Sequence, residues 1–137
     1  MKLLVVLDNE AVQALGDAAH PKHRRLIGLV QVVAHRKRRA VDIALVVPTA
    51  VRAEAGWDRA GAAWASVNRL GVIDEVLGAG QANVAAQIRS ATGVSVAGAH
   101  LGAVVQASKA DRVTVLTSDP GDAASVAGGR PVNVIRI

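Results

Sequence analysis

Residues 3–7 read Leu-Leu-Val-Val-Leu and stop at Asp8. No position in the run is polar, so neither face of a strand built from it can meet water. Only the interior of a sheet covered on both sides accommodates such a strand, and that is the setting of parallel sheets. Two more runs follow the same plan. Residues 42–47 (Asp-Ile-Ala-Leu-Val-Val) end at Pro48-Thr49, and residues 112–116 (Arg-Val-Thr-Val-Leu) run into Thr-Ser-Asp-Pro-Gly-Asp. Residues 71–76 (Gly-Val-Ile-Asp-Glu-Val) carry two acids and suit a short edge strand, and residues 132–137 supply a last one.

Helical segments separate these strands. Residues 10–15 form a short one. His20-Pro21 opens a second through His35, with Leu26, Ile27, Val30 and Val33 on one side. Its basic tail, His35-Arg36-Lys37-Arg38-Arg39, suits a helix C-terminus. Pro48-Thr49 opens a third that runs to about Arg69, with proline near its first position. Residues 78–92, 95–107 and 122–127 complete the set. Strand–helix alternation throughout predicts one α/β domain over residues 1–137. Its architecture is a three-layer α/β/α sandwich with a mainly parallel central sheet of about five strands.

Composition agrees with that plan. The 137 residues are 51% apolar, yet include no Phe or Tyr and only two Trp, so the core is built from Val, Ala and Leu. The absence of Cys excludes disulfides, thiol catalysis and thiolate metal sites. No apolar run reaches the roughly 18 residues of a membrane span. The N-terminal run is too short for a signal peptide, so a cytoplasmic protein is expected. The net charge of +5 permits a nucleic-acid or acidic partner without requiring either.

In parallel sheets, sites form beyond the carboxyl ends of the strands. Asp8 directly follows the first strand. Asp119 follows the strand at 112–116, with Asp122 three residues on. Glu54 lies in the early turns of a helix that starts at the same edge. Carboxylates gathered at one edge repel one another unless a cation joins them, and hard oxygen donors suit Mg²⁺ or Mn²⁺. Such a site supports phosphodiester hydrolysis. Each aspartate taken alone also reads as a turn or N-cap residue.

The helix at 95–107 carries an anomaly. Ser95 is its N-cap, and three residues on, where an acid would complement both a capping box and the helix dipole, stands Gly98. A glycine there costs up to about 1 kcal/mol relative to alanine.

Taken in order, LLVVLDNEAVQAL, VVPTAVRAE, GAHLGAVVQA and VTVLTSDPGD resemble the four motif regions of PIN-domain proteins. They are most similar to the VapC toxins of bacterial type II toxin–antitoxin pairs, and the resemblance covers nearly the whole chain. It implies a metal-dependent endoribonuclease using Mg²⁺ or Mn²⁺, a homodimer, and neutralisation by a cognate VapB-type antitoxin. By resemblance, Asp8 and Asp119 match metal-binding aspartates, Glu54 the acid of the second motif, and Asp122 an acid often found beside the fourth. Thr117 and Ser118 match hydroxyl residues that orient ligands or water. The third motif usually begins with aspartate, and here Gly98 stands in its place. The resemblance therefore implies weakened metal binding and impaired cleavage. Two origins are open: natural loss of the residue, or its replacement in a toxic nuclease. The alternative reading is a non-catalytic PIN-like binding module. A phospho-receiver domain also gathers acids at strand ends, but it needs a lysine after the last core strand, and no lysine follows Lys109.

Arg24 and Arg25 near the start of the second helix, with His20 and His23, and Arg36, Lys37 and Arg38 at its end, are candidate RNA-phosphate contacts or a solvated face. No aromatic platform for stacking bases is evident. Trp57 and Trp64, seven residues apart, are expected on one face of the third helix, in the core or at a partner groove. Asp58 is expected to face the same way as Glu54. His100 reads as a packing or surface residue, and GAGQAN at 78–83 as a turn and helix start rather than a nucleotide loop.

Overall fold

The computed structural model describes residues 1–39 and 41–137. Five strands, β1 (Leu3–Leu7), β2 (Ile43–Pro48), β3 (Ile73–Glu75), β4 (Arg112–Thr117) and β5 (Asn133–Arg136), form one sheet. Its order is β3-β2-β1-β4-β5 and every pairing is parallel. The LLVVL run occupies the central strand, with Val6 and Leu7 wholly buried. The acid-bearing β3 lies at an edge, where fewer neighbours need apolar side chains.

The helices are α1 (Asn9–Gly16), α2 (His23–Arg38), α3 (Thr49–Ala55), α4 (Ala65–Asn68), α5 (Ala79–Thr92), α6 (Val96–Ala107) and α7 (Pro120–Val126). Leu3 and Val5 of β1 and Leu116 of β4 share a cavity with Leu29, Val32 and Val33 of α2, which places α2 over that face of the sheet. Asp8, Val115 and Thr117 turn to the other face, toward α3, α6 and α7. Helix α6 is apolar on nearly every side and buried from Ala99 through Val105, as suits a helix enclosed between the sheet and α5. Among the described residues, no helix is long and apolar enough to cross a membrane.

One expected helix is broken. The segment 49–69 is not continuous: α3 stops after seven residues at Gly56, which adopts a left-handed φ of 75°. That conformation suits glycine and ends helices. The chain resumes as a 3₁₀ turn, Ala62–Trp64, and then α4. Trp57 and Trp64 therefore meet by folding back rather than by sharing a helix face. Their rings stack at 6.0 Å, and Arg59 lies 4.2 Å from the Trp57 ring centre. Trp57 is buried and donates to Asn68 Oδ1 at 2.6 Å. Asp58 likewise does not face with Glu54. It lies beyond the helix end, exposed, and accepts from the Ala60 N–H.

Candidate active site

The sheet order reverses at β1: the chain leaves it toward β2 on one side and later returns to β4 on the other. Ligand crevices of parallel sheets open at such a switch point. A cavity of about 310 Å³ lies there, and Asp8, Glu54, Asp119, Asp122, Gly98 and Thr117 all line it. Its remaining wall is mostly apolar, including Val51, Leu101 and Val115.

Each acid arrives by a local rule. Asp8 ends β1 and is the N-cap of α1, its Oδ1 accepting from Ala11 N–H at 2.8 Å. Its Oδ2 accepts from Ser118 N–H at 3.3 Å, which ties the ends of β1 and β4 together. Asp119 is the N-cap of α7, accepting from Asp122 N–H at 3.1 Å. Both aspartates thus do have the capping role open to them from sequence, and both also face the cavity. Glu54 has no such role. It stands in the last turn of α3, where the helix dipole disfavours an acid.

Burial pushes the Asp8 carboxyl above its ordinary pKa, although hydrogen bonds from the Thr117 hydroxyl and the Ala11 and Ser118 amides oppose the rise. The neighbouring Glu10 raises it further. Thr117 is buried, and its hydroxyl also accepts from Asp119 N–H at 2.9 Å, so one side chain touches both aspartates' surroundings. Ser118 contributes its backbone amide rather than its hydroxyl.

Ser95 caps α6 as expected, accepting from Gly98 N–H at 3.1 Å. Two glycines four residues apart on this helix differ sharply. A Cβ at Gly102 would lie 2.7 Å from Val126 Cβ, so close packing of α6 on α7 requires glycine there. A Cβ at Gly98 would meet nothing nearer than Val94 Cβ at 3.4 Å, an ordinary contact. Neither packing nor backbone conformation therefore demands glycine at 98, which stands on the cavity wall.

Sequence reasoning missed Asn9, which lines the cavity and places its Nδ2 3.4 Å from Glu54 Oε1. Its position directly after Asp8 was the available signal. His100, expected to pack or to lie at the surface, is fully buried. GAGQAN is a helix start, with Gly78 at the N-cap of α5.

The basic candidates do not come together. Arg25 donates to the Arg136 carbonyl at 2.6 Å, at the carboxyl edge of the sheet, and the exposed Arg24 is its neighbour. Helix α2 then runs back along the sheet, and Arg36 lines a cavity with Arg112 and Ile43 at the opposite edge. Along α2 the two groups lie roughly 17–21 Å apart. His20 pairs with Glu10 at 3.0 Å and His23 with the Ala14 carbonyl at 2.8 Å, so both fasten α1 to the start of α2.

The donor set suits a hard divalent cation: acidic oxygens, an Asp8 whose hydrogen bonds do not fully offset its desolvation, and no clash for a Cβ at position 98. Among the described residues, no three acidic or histidine side chains already close into a ligand set. Compared with known proteins, the chain matches no protein-family model and no curated sequence.

Proposed function

We propose that the chain is a metal-dependent endoribonuclease of the PIN type, similar to VapC toxins, attenuated by glycine at position 98. The observation that carries this reading is the shared cavity at the sheet's switch point, lined by Asp8, Glu54, Asp119, Asp122 and Gly98, where a Cβ would meet only ordinary contacts. Asp8 and Asp119 would hold Mg²⁺ or Mn²⁺. The bound cation supplies positive charge on the phosphoryl oxygen and acidifies water. Glu54, exposed at the mouth, would orient the attacking water in line with the scissile P–O bond and accept its proton, or would hold a second cation. Thr117 fixes the orientation of Asp8, and the backbone amide of Ser118 holds its second oxygen. Asp122 adds negative charge beside Asp119. Arg24 and Arg25 lie at the edge where RNA phosphates would approach. A cytoplasmic homodimer restrained by a VapB-type antitoxin completes the proposal.

A second reading has its own support. The two aspartates serve as N-caps and the third-motif acid is missing, so the fold could persist as a non-catalytic PIN-like module whose useful surface is its partner interface. One experiment separates the two. Gly98→Asp, purified and given RNA, should cleave it with Mg²⁺ and stop with a chelator, and should arrest growth when expressed alone. Unchanged growth together with no magnesium-dependent cleavage favours the binding module.

A further inference from the structure

We propose that His100 is a positioning residue for Glu54, acting as the N-cap that helix α3 lacks. This rests on the nuclease reading for its functional meaning, and on geometry for its structural one. Helix α3 follows Pro48, whose ring offers no acceptor, and no side chain of its own segment caps it. The first amides of a helix have no partner within the helix. One of them, Ala50 N–H, donates to His100 Nδ1 at 3.2 Å, reaching across from α3 to α6.

With Nδ1 accepting from Ala50 N–H, the ring proton is assigned to Nε2, which faces Gln81 Oε1 of α5 at 2.9 Å, and the ring also lies within hydrogen-bond reach of the Val76 carbonyl. One imidazole, fully buried, thus joins the first turns of α3 and α5 to α6. Glu54 stands four residues beyond Ala50, one helical turn along α3. Position 98 stands two residues before His100 on α6. The ring is the fixed point from which both cavity walls are measured.

Two features make this point of attachment matter. Helix α3 has only seven residues, too few to be stable from its own hydrogen bonds. Among the described residues, the Glu54 carboxylate has only the long 3.4 Å contact from Asn9. Its place in the cavity therefore follows where the helix is pinned. Thr49 adds a second tie, its hydroxyl accepting from Leu77 N–H at 3.2 Å. A packing role alone would be filled by an aliphatic side chain, as elsewhere in this core. A buried imidazole is tolerated only because both nitrogens find partners.

The test uses variants that keep one bond and lose the other. In His100→Asn the amide oxygen can occupy the Nδ1 position and accept from Ala50. In His100→Gln the longer side chain reaches toward Gln81 instead. Amide hydrogen exchange is followed across residues 50–55, and Mn²⁺ affinity is measured for each variant placed in the Gly98→Asp chain. His100→Gln should speed exchange in α3 about ten-fold, the loss of a helix cap, and weaken Mn²⁺ binding about ten-fold, the loss of a supporting contact. His100→Asn should stay within about two-fold of the parent in both readouts. Gln81→Met, which leaves the Nδ1 bond intact, should also leave α3 exchange within about two-fold and serves if His100→Gln fails to fold. Equal exchange in the Asn and Gln variants, or fast α3 exchange in Gln81→Met, overturns the proposal. If Mn²⁺ binds none of the proteins, the nuclease reading falls, and the exchange contrast alone decides whether His100 caps α3.

Discussion

Two charged groups at opposite edges of the central sheet, one acidic and one basic, have different origins. At the carboxyl edge, Asp8, Glu54, Asp119 and Asp122 line one cavity. At the amino edge, Arg36, Lys37 and Arg38 stand exposed at the C-terminus of α2. The basic group complements the negative end of a helix and is well hydrated, so elementary electrostatics accounts for it. The acidic group is only partly accounted for. Asp8 and Asp119 cap α1 and α7, yet Asp8 is desolvated and Glu54 opposes the dipole of α3. Charge held against the fold's own stability is what the proposed metal site would require.

The contrast can be broken first through activity. In a Gly98→Asp chain, Asp119→Asn should lower magnesium-dependent RNA cleavage by at least about 100-fold. Replacing Arg36, Lys37 and Arg38 together by alanine should leave the rate at saturating RNA unchanged. Equal losses from both edges would erase the distinction. Packing gives the next largest effect. Gly102→Val should destabilise the fold by about 2 kcal/mol in denaturant titrations, because α7 must move away. Gly98→Ala should instead stabilise it by about 0.5–1 kcal/mol.

Asp8→Asn sharpens the electrostatic half of the comparison. The folded pKa of Asp8 lies above the ordinary 3.8, so its ionised form costs stability once the pH exceeds the folded value. That cost fades as the pH falls through the folded pKa and is gone below 3.8. Asparagine keeps the acceptor for Ala11 N–H, removes the charge, and turns an amide group toward Ser118 N–H in place of the second acceptor. Its melting temperature relative to the parent's should rise between about pH 3.5 and pH 7, as the parent takes on the cost of ionising Asp8. The smallest effect belongs to the amino edge. The triple alanine variant should change stability by less than about 0.5 kcal/mol. If those side chains touch RNA phosphates, the slope of log affinity against log salt should fall by about two units, and if they are a solvated face it should not move.

The fold was legible because buried parallel strands are near-continuous apolar runs: LLVVL and IALVV have no polar position, and RVTVL has only Arg112 and Thr114. Asp8 and Asp119 were legible for the same reason, each standing where an apolar run stops. Glu54 was placed at the right edge although its helix ends far sooner than expected. Ala, Val and Arg continue helically on both sides of Gly56, and one left-handed residue decides the break. The cross-element bonds of His100 and the contact from Asn9 to Glu54 follow no sequence period. They depend on how helices lie against one another, which hydrophobic patterning does not specify.

The central claim is that the acidic cavity is a divalent-metal site lacking one carboxylate at position 98. Mn²⁺ titration followed by electron paramagnetic resonance tests it directly, on the parent, Gly98→Asp, and Gly98→Asp combined with Asp8→Asn. Gly98→Asp should bind Mn²⁺ at least about ten-fold more tightly than the parent, and the added Asp8→Asn should abolish the gain. Equal affinity in all three would contradict the account.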